Sequence, residues 1–140
     1  MKKIIPVLFL LIFLLSACAS AAKTAEPAQV KPAGLFQIIK PDGSKFDVTL
    51  DAVKKLKLAQ ITVEGKVQEG PKLLDVLSLA GVTDFTEVTI TGSSAPSTLK
   101  REQVDDNTIL DFSNRGTMKL ATTYIPKADW TKDITQITVK

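Results

Sequence analysis

Apolar and polar residues alternate with a period of two in three short segments, which is the pattern of half-buried β-strands. The segments are 59–64, 86–91 and 134–139. In the last of them Ile137 and Val139 fall on one face and polar residues on the other. We therefore predict a strand in each segment, with one face turned toward a core.

Two pairs of apolar segments flank short polar turns that contain glycine. The first pair, 35–39 and 46–49, encloses Lys-Pro-Asp-Gly-Ser, and the second pair, 109–112 and 117–121, encloses Asn-Arg-Gly. Proline before Asp-Gly presets the turn, and glycine accepts the positive φ that a tight turn requires. The sequence thus predicts two β-hairpins.

Helical spacing of apolar residues occurs in two places. The first helix is predicted after Thr49, whose hydroxyl suits an N-cap, and its apolar face consists of Leu50, Val53 and Leu56. The second is predicted to begin with Pro71 at its first position and to end at Gly81. Its apolar stripe consists of Leu73, Leu74, Leu77 and Ala80. Short strands and two helices without an internal repeat predict an α+β fold, a small mixed β-sheet domain with two short helices.

The N-terminus has the three parts of a secretory signal peptide. Lys2 and Lys3 form a positive region, an apolar run follows at 4–15, and small residues precede Cys18. The tetrad Leu-Ser-Ala-Cys that ends at Cys18 resembles the lipobox of bacterial lipoproteins. That resemblance implies cleavage just before Cys18 and lipidation of its sulfur by a diacylglyceryl group.

The chain is accordingly divided into three parts. We predict a lipoprotein signal peptide at 1–17, a lipidated N-terminus and flexible tether at 18–34, and the α+β domain at 35–140. The tether is rich in alanine, contains lysine, threonine, proline, glutamate and glutamine, and has no apolar periodicity. Two or three acyl chains would anchor the protein stably to the extracytoplasmic face of a bacterial membrane. Ordinary signal cleavage after Ala19 or Ala21 is the alternative.

Composition excludes several classes of chemistry. The chain has no histidine and one cysteine, which rules out Ser-His-Asp and Cys-His triads, histidine-ligated zinc or haem, and an intrachain disulfide. The formal charge of +3 arises from 18 basic and 15 acidic residues, but Lys2 and Lys3 belong to the predicted leader. The nearly neutral remainder contains only two arginines and lacks the basic stripe of nucleic-acid-binding proteins, so we expect no nucleic-acid partner.

A known family is suggested by residues 70–82, which read Gly-Pro-Lys-Leu-Leu-Asp-Val-Leu-Ser-Leu-Ala-Gly-Val. This stretch resembles the molybdopterin-binding domain of sulfite-oxidase-like oxidoreductases, which have a comparable glycine, Asp-(Leu/Val)-Leu and Ala-Gly at the same helix. The resemblance continues at 126–130, Lys132 and Ile137, which look like the family's late proline, tryptophan-x-lysine step and closing strand. It covers roughly 49–140 and implies the fold of that domain.

The resemblance implies fold rather than activity. In that family a cysteine thiolate ligates molybdenum, and histidine and arginine side chains bind the pterin phosphate. Here Cys18 lies outside the match, no histidine exists, and 91–95 reads Thr-Gly-Ser-Ser-Ala where Asp-Gly-Tyr is often found. A soft metal centre requires thiolate ligands. We therefore expect neither molybdopterin nor a metal.

Four residues remain as candidates for ligand binding. Arg101 and Arg115 carry guanidinium groups that match carboxylate or phosphate, and Tyr124 and Trp130 offer rings on which a ligand stacks. The competing interpretation is exposed surface for the two arginines and half-buried packing for the two aromatic rings.

Two polar clusters suggest other sites and are interpreted as structural. Asp105, Asp106 and Asp111 lack the Asp-x-Asp-x-Asp-Gly spacing of a calcium loop, so we expect solvated or capping carboxylates. Ser93 and Ser94 have no evident general base and no Gly-x-Ser-x-Gly elbow. Their loop is interpreted as a mobile connection or the rim of a binding site.

Together these observations predict a non-catalytic, membrane-anchored lipoprotein whose domain binds a small ligand or an envelope protein. One alternative is a molybdopterin-dependent oxidoreductase-like enzyme with non-thiolate ligands. Another is a structural partner in envelope assembly. The anchor, the family resemblance and the missing thiol and imidazole groups favour the first.

Overall fold

The computed structural model describes residues 34–140. The predicted signal peptide, Cys18 and nearly all of the predicted tether lie outside the described residues. The described part contains nine strands and two α-helices, with these bounds: β1 (Phe36–Ile39), β2 (Lys45–Val48), α1 (Leu50–Lys54), β3 (Leu58–Val63), β4 (Lys66–Pro71), α2 (Leu73–Leu79), β5 (Glu87–Thr91), β6 (Ser97–Lys100), β7 (Thr108–Phe112), β8 (Met118–Thr122) and β9 (Gln136–Val139).

A mixed five-stranded sheet has the order β2-β1-β9-β5-β6. Strands β1 and β9 are parallel, with Ile38 opposite Ile137, and the other neighbouring pairs are antiparallel. The chain therefore enters β1 and β9 at one end of the sheet, which is also where β5 ends at Thr91. We call this the entry end of the sheet, and the β1–β2 turn, which contains Gly43, lies at the opposite end.

Two antiparallel hairpins, β3–β4 and β7–β8, complete the domain. Gly70 of β4 lies against the backbone of β7, so closely that an added Cβ would be 1.9 Å from the carbonyl oxygen of Leu110. Lys72, which follows β4, forms an isolated bridge with Ile109. Only a glycine permits such a close approach of the β4 and β7 backbones, and this contact holds the two hairpins together.

The main core lies between the five-stranded sheet, α2 and the β7–β8 hairpin. The sheet contributes Phe36, Ile38, Val88, Ile90, Leu99 and Ile137, and α2 contributes Leu73, Val76 and Leu77, all with no exposed surface. A second cluster consists of Ile61, Ile109, Ala121 and Trp130. The predicted α+β class, mixed sheet and two short helices are confirmed.

Local predictions are confirmed at several turns and caps. The hydroxyl of Thr49 accepts from the amide of Ala52 at 3.2 Å and caps α1. Gly43, Gly81 and Gly116 have φ of 81°, 74° and 75°, as the two hairpin turns and the end of the second helix require.

The predicted start of the second helix is wrong. Pro71 is the last residue of β4 and pairs with Leu58, and Lys72 is the N-cap of a helix that begins at Leu73. Strands β4 and β6 have no counterpart in the sequence prediction, and β9 begins at Gln136 instead of 134. The residues before Gln136 serve another purpose, because they cover the free edge of β8.

Candidate functional site

The segment 130–134 runs beside the outer edge of β8. The amide of Leu120 donates to the carbonyl oxygen of Thr131 at 2.9 Å, and the amide of Ile134 donates to that of Met118 at 2.8 Å. These hydrogen bonds satisfy backbone groups that an open edge strand leaves unpaired. They also hold the backbone of the segment against β8.

Thr131 is fully buried and ties this segment to β5 and β6. Its hydroxyl lies 2.7 Å from the Ser97 hydroxyl and within 3.1 and 3.2 Å of the carbonyl oxygens of Ala95 and Ile90. A buried hydroxyl is stable only when its hydrogen bonds are made. Thr131 therefore positions the residues on either side of it, Trp130 and Lys132.

Trp130 is a core residue with one edge at the surface. Only 3% of its surface is exposed, and its indole Nε1 donates to the carbonyl oxygen of Thr122 at 3.2 Å. The ring packs with Ile61, Ile109 and Ala121. It is therefore more buried than the half-buried alternative in the sequence analysis, and its face is not available for a ligand to stack on.

The loop after β5 is fastened to the same segment. At Gly92 an added Cβ would lie 2.1 Å from the carbonyl oxygen of Lys132, so only glycine allows this approach. Ser94 accepts a hydrogen bond from the Lys132 amide at 2.9 Å. Ser93 donates its hydroxyl to Asp133 Oδ2 at 2.7 Å. The two serines thus hold backbone and a carboxylate in place.

Asp133 organises the polar end of the segment. Its φ of 46° is unusual for a residue with a side chain. Thr117 donates to its Oδ1 at 2.6 Å, Ser93 donates to its Oδ2, and the Arg115 guanidinium lies 3.3 Å from Oδ2. The hydrogen bonds from Thr117 and then Ser93, assisted by the charge of Arg115, lower the pKa of the Asp133 carboxyl below its ordinary value.

Two adjoining cavities open along this segment, one of about 250 Å³ and one of about 390 Å³. Lys119 and Lys132 line both cavities and form their common wall. Arg115 lines the smaller cavity, and Lys127 lines the larger one beside Trp130. We call this surface the lysine groove and define it by Arg115, Lys119, Lys127, Trp130 and Lys132.

The cations of the lysine groove differ in their partners. Arg115 is paired with Asp133, and Lys119 Nζ lies 3.1 Å from Asp111 Oδ2. Lys127 and Lys132 form no ion pair with any residue in 34–140. The groove also includes Glu64, which lines the larger cavity. Lys127 Nζ lies 6.0 Å from the centre of the Trp130 ring, a cation–π distance. An anion in the groove would meet two cations that form no ion pair in 34–140, although the charge of Lys132 also helps to lower the pKa of the Asp133 carboxyl.

The structure brings together two of the four predicted binding residues, Arg115 and Trp130, and separates the other two. Arg101 follows β6 at the end of the sheet opposite the entry end, where its guanidinium lies 5.0 Å from the centre of the Phe85 ring. Tyr124 donates its hydroxyl to Asp105, and this hydrogen bond raises the pKa of the tyrosine. Neither residue lines the lysine groove.

The three aspartates weighed as a metal site have separate partners. Asp105 accepts from Tyr124 and from the Asn107 amide, Asp106 pairs with Lys72, and Asp111 pairs with Lys119. Burial raises the pKa of Asp105, but the hydrogen bonds it accepts outweigh this and lower it. Among residues 34–140 no group of three potential ligands is placed to hold a metal ion.

The lysines that form the groove were missed in the sequence. Lys119 lies on β8, Lys127 starts a 3₁₀ turn (Lys127–Asp129), and Lys132 lies in the segment beside β8. Their spacing matches no motif, because the fold and not the sequence brings them together. In the sequence, the step from Trp130 to Lys132 indicates a family resemblance but not a groove.

Comparison with solved structures identifies a protein with a similar fold. The crystal structure of the sulfane dehydrogenase SoxCD from Paracoccus pantotrophus matches with a TM-score of 0.53 and 16% sequence identity. The chain shares this fold. The match covers 74% of the present chain and 37% of the SoxCD chain, and at this identity it concerns the fold alone. It supports the resemblance to the sulfite-oxidase-like molybdopterin fold. No family model and no curated protein matches the chain.

A molybdenum cofactor bound through thiolate does not fit the described domain. Residues 34–140 contain no cysteine and no histidine, so they supply neither a soft ligand for the metal nor an imidazole for the pterin phosphate. The cations of the lysine groove suit an anion but offer no metal-ligating atom, since a protonated lysine has no lone pair.

In the described part of the chain, no helix is long and apolar enough to cross a membrane.

Proposed function

We propose that the protein is a non-catalytic lipoprotein, anchored through Cys18 to the extracytoplasmic face of a bacterial membrane, whose domain binds an anionic ligand in the lysine groove. The observation that carries the binding part is the convergence of Lys127 and Lys132, neither of which forms an ion pair with any residue in 34–140, on the larger of two adjoining cavities. Cavities with a few convergent polar groups are typical ligand sites.

The chemistry of the groove supports binding and not catalysis. Its charged groups are three ammonium groups, one guanidinium and the carboxylates of Glu64, Asp111 and Asp133. Two of the carboxylates are held in ion pairs, so they are not poised as general bases. Ammonium and guanidinium groups bind carboxylates and phosphates as donors of charge-assisted hydrogen bonds.

Trp130 provides a direct readout, because it is the only tryptophan of the chain and lines the larger cavity. We expect inorganic pyrophosphate to cause a saturable change in tryptophan fluorescence. The double variant Lys127→Gln/Lys132→Gln should lose this response. The matched control, Lys40→Gln/Lys45→Gln, removes the same charge at the opposite end of the sheet and should retain it. A response that is absent from the native protein, or equal in both variants, contradicts the groove as the binding site.

The anchoring part is tested separately on Cys18. If the cysteine carries the lipid, Cys18→Ala should move the protein from the membrane fraction to the soluble fraction after a carbonate wash. Mass spectrometry of the native mature protein should find a diacylglyceryl group on this residue. An unmodified mature cysteine, or a Cys18→Ala variant that stays in the washed membrane, contradicts the anchor.

A further inference from the structure

The lysine groove adjoins the end of the domain at which the predicted tether enters. The amide of Gln37 in β1 donates to the carbonyl oxygen of Thr135 at 3.0 Å, and β1 and β9 run parallel from there. The residues just before β1 and just before β9 therefore lie at the same end of the sheet. The first group leads back from Gly34 to Cys18, and the second includes Lys132 and Asp133.

The other residues of the groove's smaller cavity belong to the same end. Arg115 is in the β7–β8 turn and pairs with Asp133, which precedes β9. Ser93, which follows the end of β5, also bonds Asp133. If Cys18 is lipidated, this entry end of the sheet is attached to the membrane through at most about 50 Å of extended chain. The groove is then confined close to the membrane surface at high effective concentration.

We propose that the lysine groove binds the phosphate headgroup of an anionic phospholipid in the membrane that holds the anchor. The proposal rests on the proposed function and names its ligand. Charge complementarity supports it, because Lys127 and Lys132 both line the larger cavity and neither forms an ion pair with a residue in 34–140. The point at which the tether joins the domain supports it independently.

The contact is electrostatic and does not involve insertion into the acyl region. Trp130 is buried, so no aromatic ring projects from the groove. The large apolar side chains that residues 34–140 do expose, Leu58, Val67 and Tyr124, do not line it. Binding should therefore weaken with salt, since charges at a surface are screened beyond about 8 Å at physiological ionic strength.

The test uses the mature chain, 18–140, with Cys18→Ala, so that the lipid anchor makes no contribution. It should co-sediment with vesicles of phosphatidylglycerol and phosphatidylcholine in equal amounts and not with phosphatidylcholine alone. Each lysine near an anionic surface strengthens binding about fivefold, so Lys127→Gln/Lys132→Gln should weaken it about 25-fold. The matched control, Lys40→Gln/Lys45→Gln, should change it less than twofold if the groove and not the net charge is responsible.

Three outcomes overturn the proposal. They are equal binding to both kinds of vesicle, equal loss in the two double variants, and saturable binding of free glycerol 3-phosphate or pyrophosphate without any binding to vesicles. The last outcome would leave the groove as an anion site and remove only the headgroup as its ligand. If neither free anions nor vesicles change the Trp130 fluorescence, the proposed function fails as well.

Discussion

At the scale of single residues, each of the four residues from Trp130 to Asp133 has a different structural role. Trp130 belongs to the second core cluster, and Thr131 bonds the segment to β5 and β6. Lys132 lines both cavities. Asp133 accepts hydrogen bonds from three side chains, those of Ser93, Thr117 and Arg115. Two adjacent residues are thus buried and structural, and the next two are polar and near the surface. A change in either pair should have effects that experiments can separate.

The sequence predicted Arg115 and Trp130 as binding residues, but not the three lysines that line the groove with them. An arginine and a tryptophan are rare in this chain and attract notice, whereas lysine is common and each of these three looks like ordinary surface. Only the pairing of the 130–134 segment with β8 reveals that Lys119 and Lys132 form one wall. Such a site depends on tertiary contacts and leaves no local signal.

The Thr131 hydroxyl should be important for stability. Thr131→Val keeps the shape but removes the buried hydroxyl that bonds Ser97 and lies within reach of the carbonyl oxygens of Ile90 and Ala95, while Ser97 retains the carbonyl oxygen of Asp129. We expect a loss of about 1 to 3 kcal/mol in the free energy of unfolding, measured with urea. Thr62→Val, at an exposed position of β3, is the control and should stay within about 0.5 kcal/mol of the native protein. Equal effects would show that the Thr131 hydrogen bonds contribute little.

Asp133 should make stability depend on pH. Its pKa is below the ordinary 3.8 in the folded protein, so its contribution is complete above that value and is lost as the pH falls through the lower, folded pKa. Asp133→Asn should therefore make the urea midpoint less dependent on pH in the acid range. An unchanged acid slope would contradict the role assigned to this carboxyl.

Asp133→Asn also leaves Arg115 without its carboxylate, so pyrophosphate should bind more tightly to this variant than to the native protein.

At the scale of elements, the two hairpins and the first helix cap could be predicted because each depends on neighbouring residues. Strand β4 could not, since its Lys-Val-Gln-Glu-Gly-Pro lacks apolar alternation and proline suggested the start of a helix. Strand β6 has buried Ser97 and Leu99 in alternation, but four residues with one buried hydroxyl are too short a signal. Both strands exist because of the partners they pair with.

Gly70 should be the most sensitive position in the contact between β4 and β7. In Gly70→Ala the new Cβ would meet backbone atoms of Leu110, which cannot rotate away as a side chain would. We expect a loss of about 3 kcal/mol or more in the free energy of unfolding. Gly43→Ala is a suitable control, because φ is 81° there but the space is open, and it should cost about 1 to 2 kcal/mol. Equal losses would mean that β4 and β7 separate easily.

At the scale of the whole molecule, the fold and the available metal-ligating atoms lead to different expectations of function. The fold is similar to that of the sulfane dehydrogenase SoxCD, yet the present chain spans only 37% of that chain. The described domain contains neither cysteine nor histidine. One fold commonly carries different functions, and what distinguishes them is the site. The lysine groove and the proposed anchor, not the shared fold, are therefore the basis for the function proposed.

The lack of cysteine and histidine in the described domain predicts the metal content of the native protein. If the domain is a binding module, the mature lipoprotein purified from membranes should contain far less than one molybdenum atom per chain by elemental analysis, and should show no pterin fluorescence after denaturation. The physical reason is that a protonated lysine cannot replace a thiolate as a ligand for a soft metal. Because expression without cofactor synthesis would give the same result, the host must load a known molybdenum enzyme in the same culture. Stoichiometric molybdenum in the purified chain would establish the enzyme alternative and require ligands other than cysteine or histidine in the described domain.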